Sequence, residues 1–202
     1  MKKLILLSLV CLSIDVFAQK SFFGFNVGTS IANQRIMNTY ALRGGLGGGS
    51  AEYSHNIVTP TFGAFYQYNF SDQLGIKANA NYQVLGYRVS NNGYSYTFGS
   101  QNEIKISYLA LPLSIVYNAN KNLALSAGTF VSFKLDQNVS GYHKNDFGFM
   151  LGAEHSVYKN FGLAFNYVIG TKNIWLNDQG GAIKYQNRAL QFTLIYKFKK
   201  PS

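Results

Sequence analysis

From Phe23 onward the chain alternates large apolar residues with small or polar ones at a period of two. In Phe23 to Ile31 one phase reads Phe23, Phe25, Val27, Thr29, Ile31, and the other Gly24, Asn26, Gly28, Ser30. The same alternation recurs in Phe62 to Phe70, Leu74 to Val84, Leu123 to Lys134, Asp146 to Ala153, Phe161 to Gly170 and Leu190 to Phe198. A further segment, about Ile104 to Tyr117, is apolar in both phases near Leu109-Ala110-Leu111-Pro112-Leu113, which leaves its facing open. Successive side chains of a strand point to opposite faces, so these segments predict about eight strands, each with an apolar wall and a polar or small wall. No stretch after residue 18 approaches eighteen consecutive apolar residues, so the pattern predicts strands and no membrane-crossing helix there.

The connections alternate in length. Ser71-Asp72-Gln73, Asn118 to Asn122 and Tyr158-Lys159-Asn160 are short, whereas Ala32 to Thr59, Arg88 to Glu103, Asp136 to Asn145 and Thr171 to Asn187 are long. Short turns alternating with long loops predict an antiparallel up-and-down barrel crossing an outer membrane, with the turns in the periplasm and the loops outside. Closure removes the strand edges, whose unpaired N–H and C=O groups are costly in hydrocarbon. The fold class predicted is therefore all-β, an eight-stranded antiparallel up-and-down transmembrane β-barrel.

Composition decides which wall faces lipid. Only 13% of the 202 residues are charged while 16% are aromatic, with fifteen Tyr, sixteen Phe, twenty Gly and three Pro. That balance argues against disorder, coiled coil and a helical enzyme. The bulky phase carries the aromatics; the other carries Gly, Asn, Gln and Ser with few charges. A soluble barrel would place charges outside and bulk inside. The reverse fit predicts an apolar wall in lipid around a narrow polar lumen, and a soluble lipocalin-like carrier fits less well.

The first eighteen residues read as a cleaved secretory signal: Lys2 and Lys3, an apolar stretch from Leu4 to Ile14, then Val16-Phe17-Ala18. The stretch is shorter than the roughly 20 residues of a spanning helix. Cys11 follows Val10, not a small residue, so lipid attachment is not expected. The barrel domain is then 19–202. Cys11 is the only cysteine, so disulfides and thiolate metal sites are excluded from the mature chain. Removing Lys2, Lys3 and Asp15 takes the formal charge from +10 to about +9, a balance that suits anionic lipid head groups as well as nucleic acid. The alternation points to lipid, and no nucleic-acid partner is expected.

Three stretches carry a resemblance to a known family. Tyr108-Leu109-Ala110-Leu111-Pro112-Leu113 through Tyr117 is one. The second is Asp146-Phe147-Gly148-Phe149-Met150-Leu151-Gly152-Ala153 with Phe161 to Gly170 and Asn173-Ile174. The third is Asn187-Arg188-Ala189-Leu190-Gln191 ending Tyr196-Lys197-Phe198. Together they resemble the PorT-like outer-membrane β-barrels of Bacteroidota. The resemblance implies outer-membrane residence and recognition of the C-terminal strand, ending at Phe198, by the barrel assembly machinery. It also admits an accessory role in protein secretion.

Candidate chemistry is sparse. The acidic residues after the signal, Glu52, Asp72, Glu103, Asp136, Asp146, Glu154 and Asp178, form no close pair in the sequence. His55, His143 and His155 are dispersed, so neither a metal nor another cofactor is expected. Ser54-His55, or Ser140 with His143, imitates a lipid-modifying rim pair but reads better as solvated loop. Gly44 to Ser50 lacks the Lys-Ser/Thr of a phosphate cradle and reads as a flexible loop. Lys77, Lys134 and Glu154 fall in the polar phase and are expected to form a lumen ion-pair network, because a lone charge there is costly. Eight strands leave an interior that side chains fill, so a plugged barrel is expected. Tyr68, Phe70, Tyr117, Phe161, Tyr196 and Phe198 are expected at the membrane interface. Arg35, Arg43, Arg88 and Lys172 are candidate contacts to anionic lipopolysaccharide. The overall expectation is a monomer without catalysis that works through four outward loops, the alternative being a lipid-modifying barrel enzyme.

Overall fold

Each alternating segment becomes a strand, and the strands close on themselves. The computed structural model describes residues 21–38, 53–90, 103–136, 141–174 and 183–198; the predicted signal peptide lies outside them. The strands are β1 Ser21–Asn38, β2 Tyr53–His55, β3 Ile57–Asn69, β4 Leu74–Ser90, β5 Glu103–Asn118, β6 Leu123–Lys134, β7 Asn145–Tyr158, β8 Phe161–Gly170 and β9 Ile183–Phe198. Neighbours pair antiparallel from β1–β3 through β8–β9, and β9 returns to β1. β2 and β3 form one stave. Both pair with β4, and between His55–Arg88 and Thr61–Gln83 the β2–β3 side advances six residues while β4 advances five. The extra residue is a bulge, so the nine strands of the described residues make the eight predicted staves.

Following paired residues round the wall gives Phe23, Tyr66, Ala78, Leu113, Thr129, Phe149, Ile169, Arg188 and then Asn33. The circuit closes ten positions beyond its start on β1 (33 against 23). That stagger obliges the staves to tilt by roughly 35–45° to the barrel axis. It also means that side chains level in the lumen come from positions that alternation alone does not align.

The facing follows the predicted phases. Phe23, Phe25 and Val27, Leu109, Leu111 and Leu113, and Phe161, Leu163 and Phe165 all stand on the outer surface. The doubly apolar segment is thereby resolved: its leucines face out, while Ala110 and Pro112 face in. At the short-turn end, Phe198 stacks on Phe23 at 4.8 Å and meets Tyr196 edge-on at 4.9 Å. Tyr68 meets Phe70, and Phe161 meets Tyr196. These rings form an aromatic girdle of the kind that marks a bilayer interface.

The turns are held by local bonds. Asn120 Oδ1 accepts from the N–H groups of Asn122 and Leu123, both at 2.8 Å. Lys159 takes a left-handed φ of 44° in the Lys159-Asn160 hairpin between β7 and β8. At the other end the strands run farther than the alternation predicted. β1 has 18 residues and β4 has 17, whereas a tilted crossing needs only about 9–11. The long connections are correspondingly shorter than predicted, and Arg35 and Arg88 stand on strands, not in loops.

Two inward rings depend on glycines. Phe65 is paired with Gly24 across β1–β3, and Phe130 with Gly148 across β6–β7. A Cβ on Gly24 would lie 2.6 Å from the Phe65 ring, and one on Gly148 would lie 2.7 Å from the Phe130 ring. Each glycine makes the space that its partner ring fills.

Candidate functional site

The lumen has three layers. At the turn end, Glu154 on β7 lies between two lysines. Its Oε2 is 2.9 Å from Lys77 Nζ on β4, and its Oε1 contacts Lys197 Nζ on β9. The three side chains are 11%, 12% and 17% exposed, respectively. Each ammonium also stands over an aromatic face, Lys77 at 4.2 Å from the Phe65 centroid and Lys197 at 5.2 Å from Phe22. Phe22 and Phe65 meet edge-on, and Ile195 and Ala164 pack beside them. A carboxylate shared by two ammoniums satisfies its own charge but leaves one positive charge over, which the ring faces only partly offset.

The middle layer is polar and nearly full. Asn26 Nδ2 donates to Asn81 Oδ1 at 3.1 Å, and Gln191 Nε2 donates to Gln83 Oε1 at 2.8 Å. The cavity among Asn79, Ser114, Ser126, Asn166 and Thr193 amounts to about 30 Å³. That is space for one or two waters, not a conduit.

Toward the loop end the lumen turns apolar, contrary to the polar interior that the pattern predicts. Leu85, Ile106, Tyr108, Phe130, Met150 and Val168 form a buried cluster, closed by Tyr142 and Ile174 from the connections. The His143 N–H donates to the Ile174 carbonyl at 2.8 Å and the Ile174 N–H to the Tyr185 carbonyl at 3.0 Å, which fixes both connections to the plug. Beside it runs a buried chain: Gln34 Nε2 donates to Asn187 Oδ1 at 3.2 Å, and Asn187 Nδ2 donates to Asp146 Oδ2 at 2.9 Å. The Phe147 N–H donates to Asp146 Oδ1 at 2.8 Å.

The expected lumen network of Lys77, Lys134 and Glu154 therefore needs one correction. Lys77 and Glu154 meet, but Lys134 does not join them; its Nζ lies 3.5 Å from the Tyr142 carbonyl at the loop end. On β6, Lys134 is ten positions from Ala124, the residue paired with Glu154, which is roughly 33 Å along a strand. Lys197 takes the third place. It was visible in the polar phase of the last segment, but its height in the lumen was not.

The candidate surface cations are spread over the loop-end rim. Arg35 is exposed near the top of β1. Arg88 Nε donates to Glu103 Oε1 at 3.1 Å, and Lys105 is 2.6 Å from Glu103 Oε2. Hydrogen bonds from Lys105 and then Arg88 hold the Glu103 carboxyl well below its ordinary range, at about 2. Lys172 Nζ bonds Asn145 Oδ1. Arg43, Gly44 to Ser50 and Ser140 lie outside the described residues, as do Glu52 and Asp178. Among the described residues no group of three or more His, Cys, Asp or Glu side chains gathers where a metal ion would be held.

A closed, staggered antiparallel barrel with an apolar girdled exterior and a filled lumen is a small transmembrane β-barrel of the outer-membrane class. The family model of the outer membrane protein beta-barrel domain matches residues 4–198, and the chain belongs to that family. Among solved structures it is similar to OprG, an outer membrane protein of Pseudomonas aeruginosa, at 14% identity and a TM-score of 0.51, covering 90% of this chain and 98% of that one. It is also similar to Neisserial surface protein A at 13% identity and a TM-score of 0.51, covering 86% and 97%. At these identities the likeness is one of fold. No curated protein matches the chain in sequence.

Proposed function

We propose that this outer-membrane protein is a closed, non-conducting barrel that serves as a rigid mount for its outward loops, in a structural, adhesive or interaction role and without catalysis. The filled lumen carries this reading: an ion cluster on aromatic rings, a polar layer with about 30 Å³ of space, and an apolar plug are stacked along one axis. Each layer alone would obstruct hydrated ions. Strands longer than the bilayer requires hold the loop attachments above the membrane, which suits presentation to partners outside the cell. The three motifs around Tyr108, Asp146 and Asn187 favour a place among the PorT-like barrels of Bacteroidota, with delivery by the assembly machinery acting on β9 and its terminal Phe198. The barrel works as a monomer in this reading.

The loop-end cations supply the lipid contact. Arg35, Arg43, Arg88 and Lys172 are assigned to lipopolysaccharide, Arg35 foremost, because it is exposed where Arg88 and Lys172 already have protein partners. Replacing all four by Gln should weaken association with lipopolysaccharide micelles; undiminished binding removes the assignment. The barrel reading is tested in planar bilayers and on gels. The purified protein should give no unitary conductance and should migrate faster unheated than boiled. Steady ion-conducting steps would overturn the closed lumen.

A further inference from the structure

The turn end of the lumen opens into a second, larger space that the closed barrel does not require. A vestibule of about 430 Å³ is lined by Lys121, Lys159, Lys197, Asp72, Phe22 and a ring of Asn and Gln side chains. We propose that it is a binding site for a small dianion, of the organic dicarboxylate or phosphate class, presented from the periplasm. The site is distinct from the outward loops, so its fate does not depend on theirs.

Charge carries the assignment. Lys197 forms the floor and shares Glu154 with Lys77, while Lys121 and Lys159 stand on the two turns at the mouth and Asp72 on the third. The lining thus sets three ammoniums against one carboxylate, and the Lys77–Glu154 pair behind it is neutral as a unit, so the concavity keeps an excess of two positive charges. The excess matters because the wall behind it is poorly hydrated: Lys77 and Lys197 lie against Phe65 and Phe22, and the cavity beyond has room for only one or two waters. A cleft lined by one sign of charge, with a low-dielectric floor, concentrates counter-ions of the opposite sign. A dianion matches the excess one for one.

Shape and lining narrow the class. The amide side chains of Gln67, Asn69, Gln73, Asn118 and Asn120 surround the lysines with groups that both donate and accept. Some are already engaged, since Gln67 Nε2 donates to Asn69 Oδ1 at 2.9 Å and Asn118 Nδ2 to the Asp72 carbonyl at 3.1 Å. These bonds hold part of the polar collar in place. Phe22 adds one apolar surface at the floor, against which a short carbon chain between two carboxylates would lie.

The test uses the full mature chain refolded in a zwitterionic detergent. It is titrated with succinate in one arm and inorganic phosphate in the other, with binding read by isothermal calorimetry and by lysine-selective NMR shifts. Saturable binding by either dianion is expected, with the lysine resonances at 121, 159 and 197 shifting together. Saturation by succinate identifies the dicarboxylate, and saturation by phosphate alone identifies phosphate; both keep the site. The Lys121→Gln/Lys159→Gln variant changes only exposed turn residues and should bind at least tenfold more weakly. Lys144→Gln, which changes an exposed lysine just before β7 at the opposite end of the barrel, should bind as the parent does. Shifts that stay linear in anion concentration, or affinity unchanged in the double variant, would overturn the proposal.

Discussion

The two ends of the lumen solve the same packing problem with opposite chemistry. At the turn end, connections of a few residues leave the strands to fill the interior unaided, and they do so with Lys77, Glu154 and Lys197 laid on Phe22 and Phe65. At the loop end, residues from the connections themselves enter the barrel, and Tyr142 and Ile174 complete an apolar plug on Ile106, Tyr108 and Phe130. A charge cluster needs every member to be neutralised, whereas an apolar plug needs only volume. Damage at the two ends should therefore differ in kind. The plug should fail in proportion to the space opened, and the cluster according to which charge is left alone.

The largest effect is expected in the plug. Phe130 is 2% exposed and packs over Gly148, whose missing side chain makes room for the ring. Phe130→Ala removes the ring and leaves a cavity that the paired backbone prevents from collapsing. The cost should be about 3–5 kcal/mol, read as a lowered urea midpoint of the barrel refolded in lipid. A loss below about 1 kcal/mol would show that the plug is soft and that the loop connections move inward to fill it.

The cluster should respond by identity, not size. Glu154→Gln keeps the shape and one hydrogen-bonding oxygen but leaves two ammoniums facing one another with no counter-charge. A cost of about 3 kcal/mol is expected, because a buried charge stripped of its partner is strongly destabilising. Lys197→Met should cost markedly less, since it leaves the Lys77–Glu154 pair at 2.9 Å in one-to-one balance. Equal losses in the same unfolding assay would mean that the cluster acts through packing alone and that the contrast between the two ends is false.

This contrast also separates what could be read in the sequence from what could not. The phases of Phe23 to Ile31 or Phe161 to Gly170 name the lipid-facing wall because a two-residue period is local. The short turns name the closed topology for the same reason. Height inside the barrel is not local. Whether Lys134 or Lys197 comes level with Glu154 depends on the ten-residue stagger accumulated over eight pairings, and no single segment carries it. The plug was hidden differently. Ile104, Ile106 and Tyr108 alternate with Lys105 and Ser107, but they run into the stretch near Leu109 where both phases are apolar, and elsewhere in the chain the apolar phase faces out, so nothing local marks this one as pointing inward. Tyr142 and Ile174 stand in connections, where alternation says nothing.

A smaller effect isolates the turns from both ends of the lumen. Lys159 holds φ at 44°, a conformation that costs a side-chain-bearing residue roughly 1 kcal/mol and glycine almost nothing. Lys159→Gly should therefore leave stability level or raise it by up to about 1 kcal/mol, since relieved strain is set against greater freedom of the unfolded chain. A clear loss in the same urea titration would show that the Lys159 ammonium, 5.1 Å from the Tyr158 ring centroid, secures the hairpin more than its backbone strains it.

The smallest effect should come from the loop-end rim, where charge pairing is exposed and so cannot act as it does in the lumen. Glu103 precedes the apolar outer face of β5, which begins at Leu109, and its carboxyl is held at about 2 by Lys105 and Arg88. A carboxyl depressed in the folded state stabilises fully above its unfolded value, near 4.5, and that contribution is lost as the pH falls toward 2. Comparing the parent with Arg88→Gln/Lys105→Gln should then give urea midpoints that differ slightly at neutral pH and converge in acid. The neutral-pH difference should be far below that of Glu154→Gln, because solvent and salt screen the rim pairs. A difference that survives unchanged at pH 2 would mean that Arg88 and Lys105 act by packing their stems against the strands, not by holding a carboxylate.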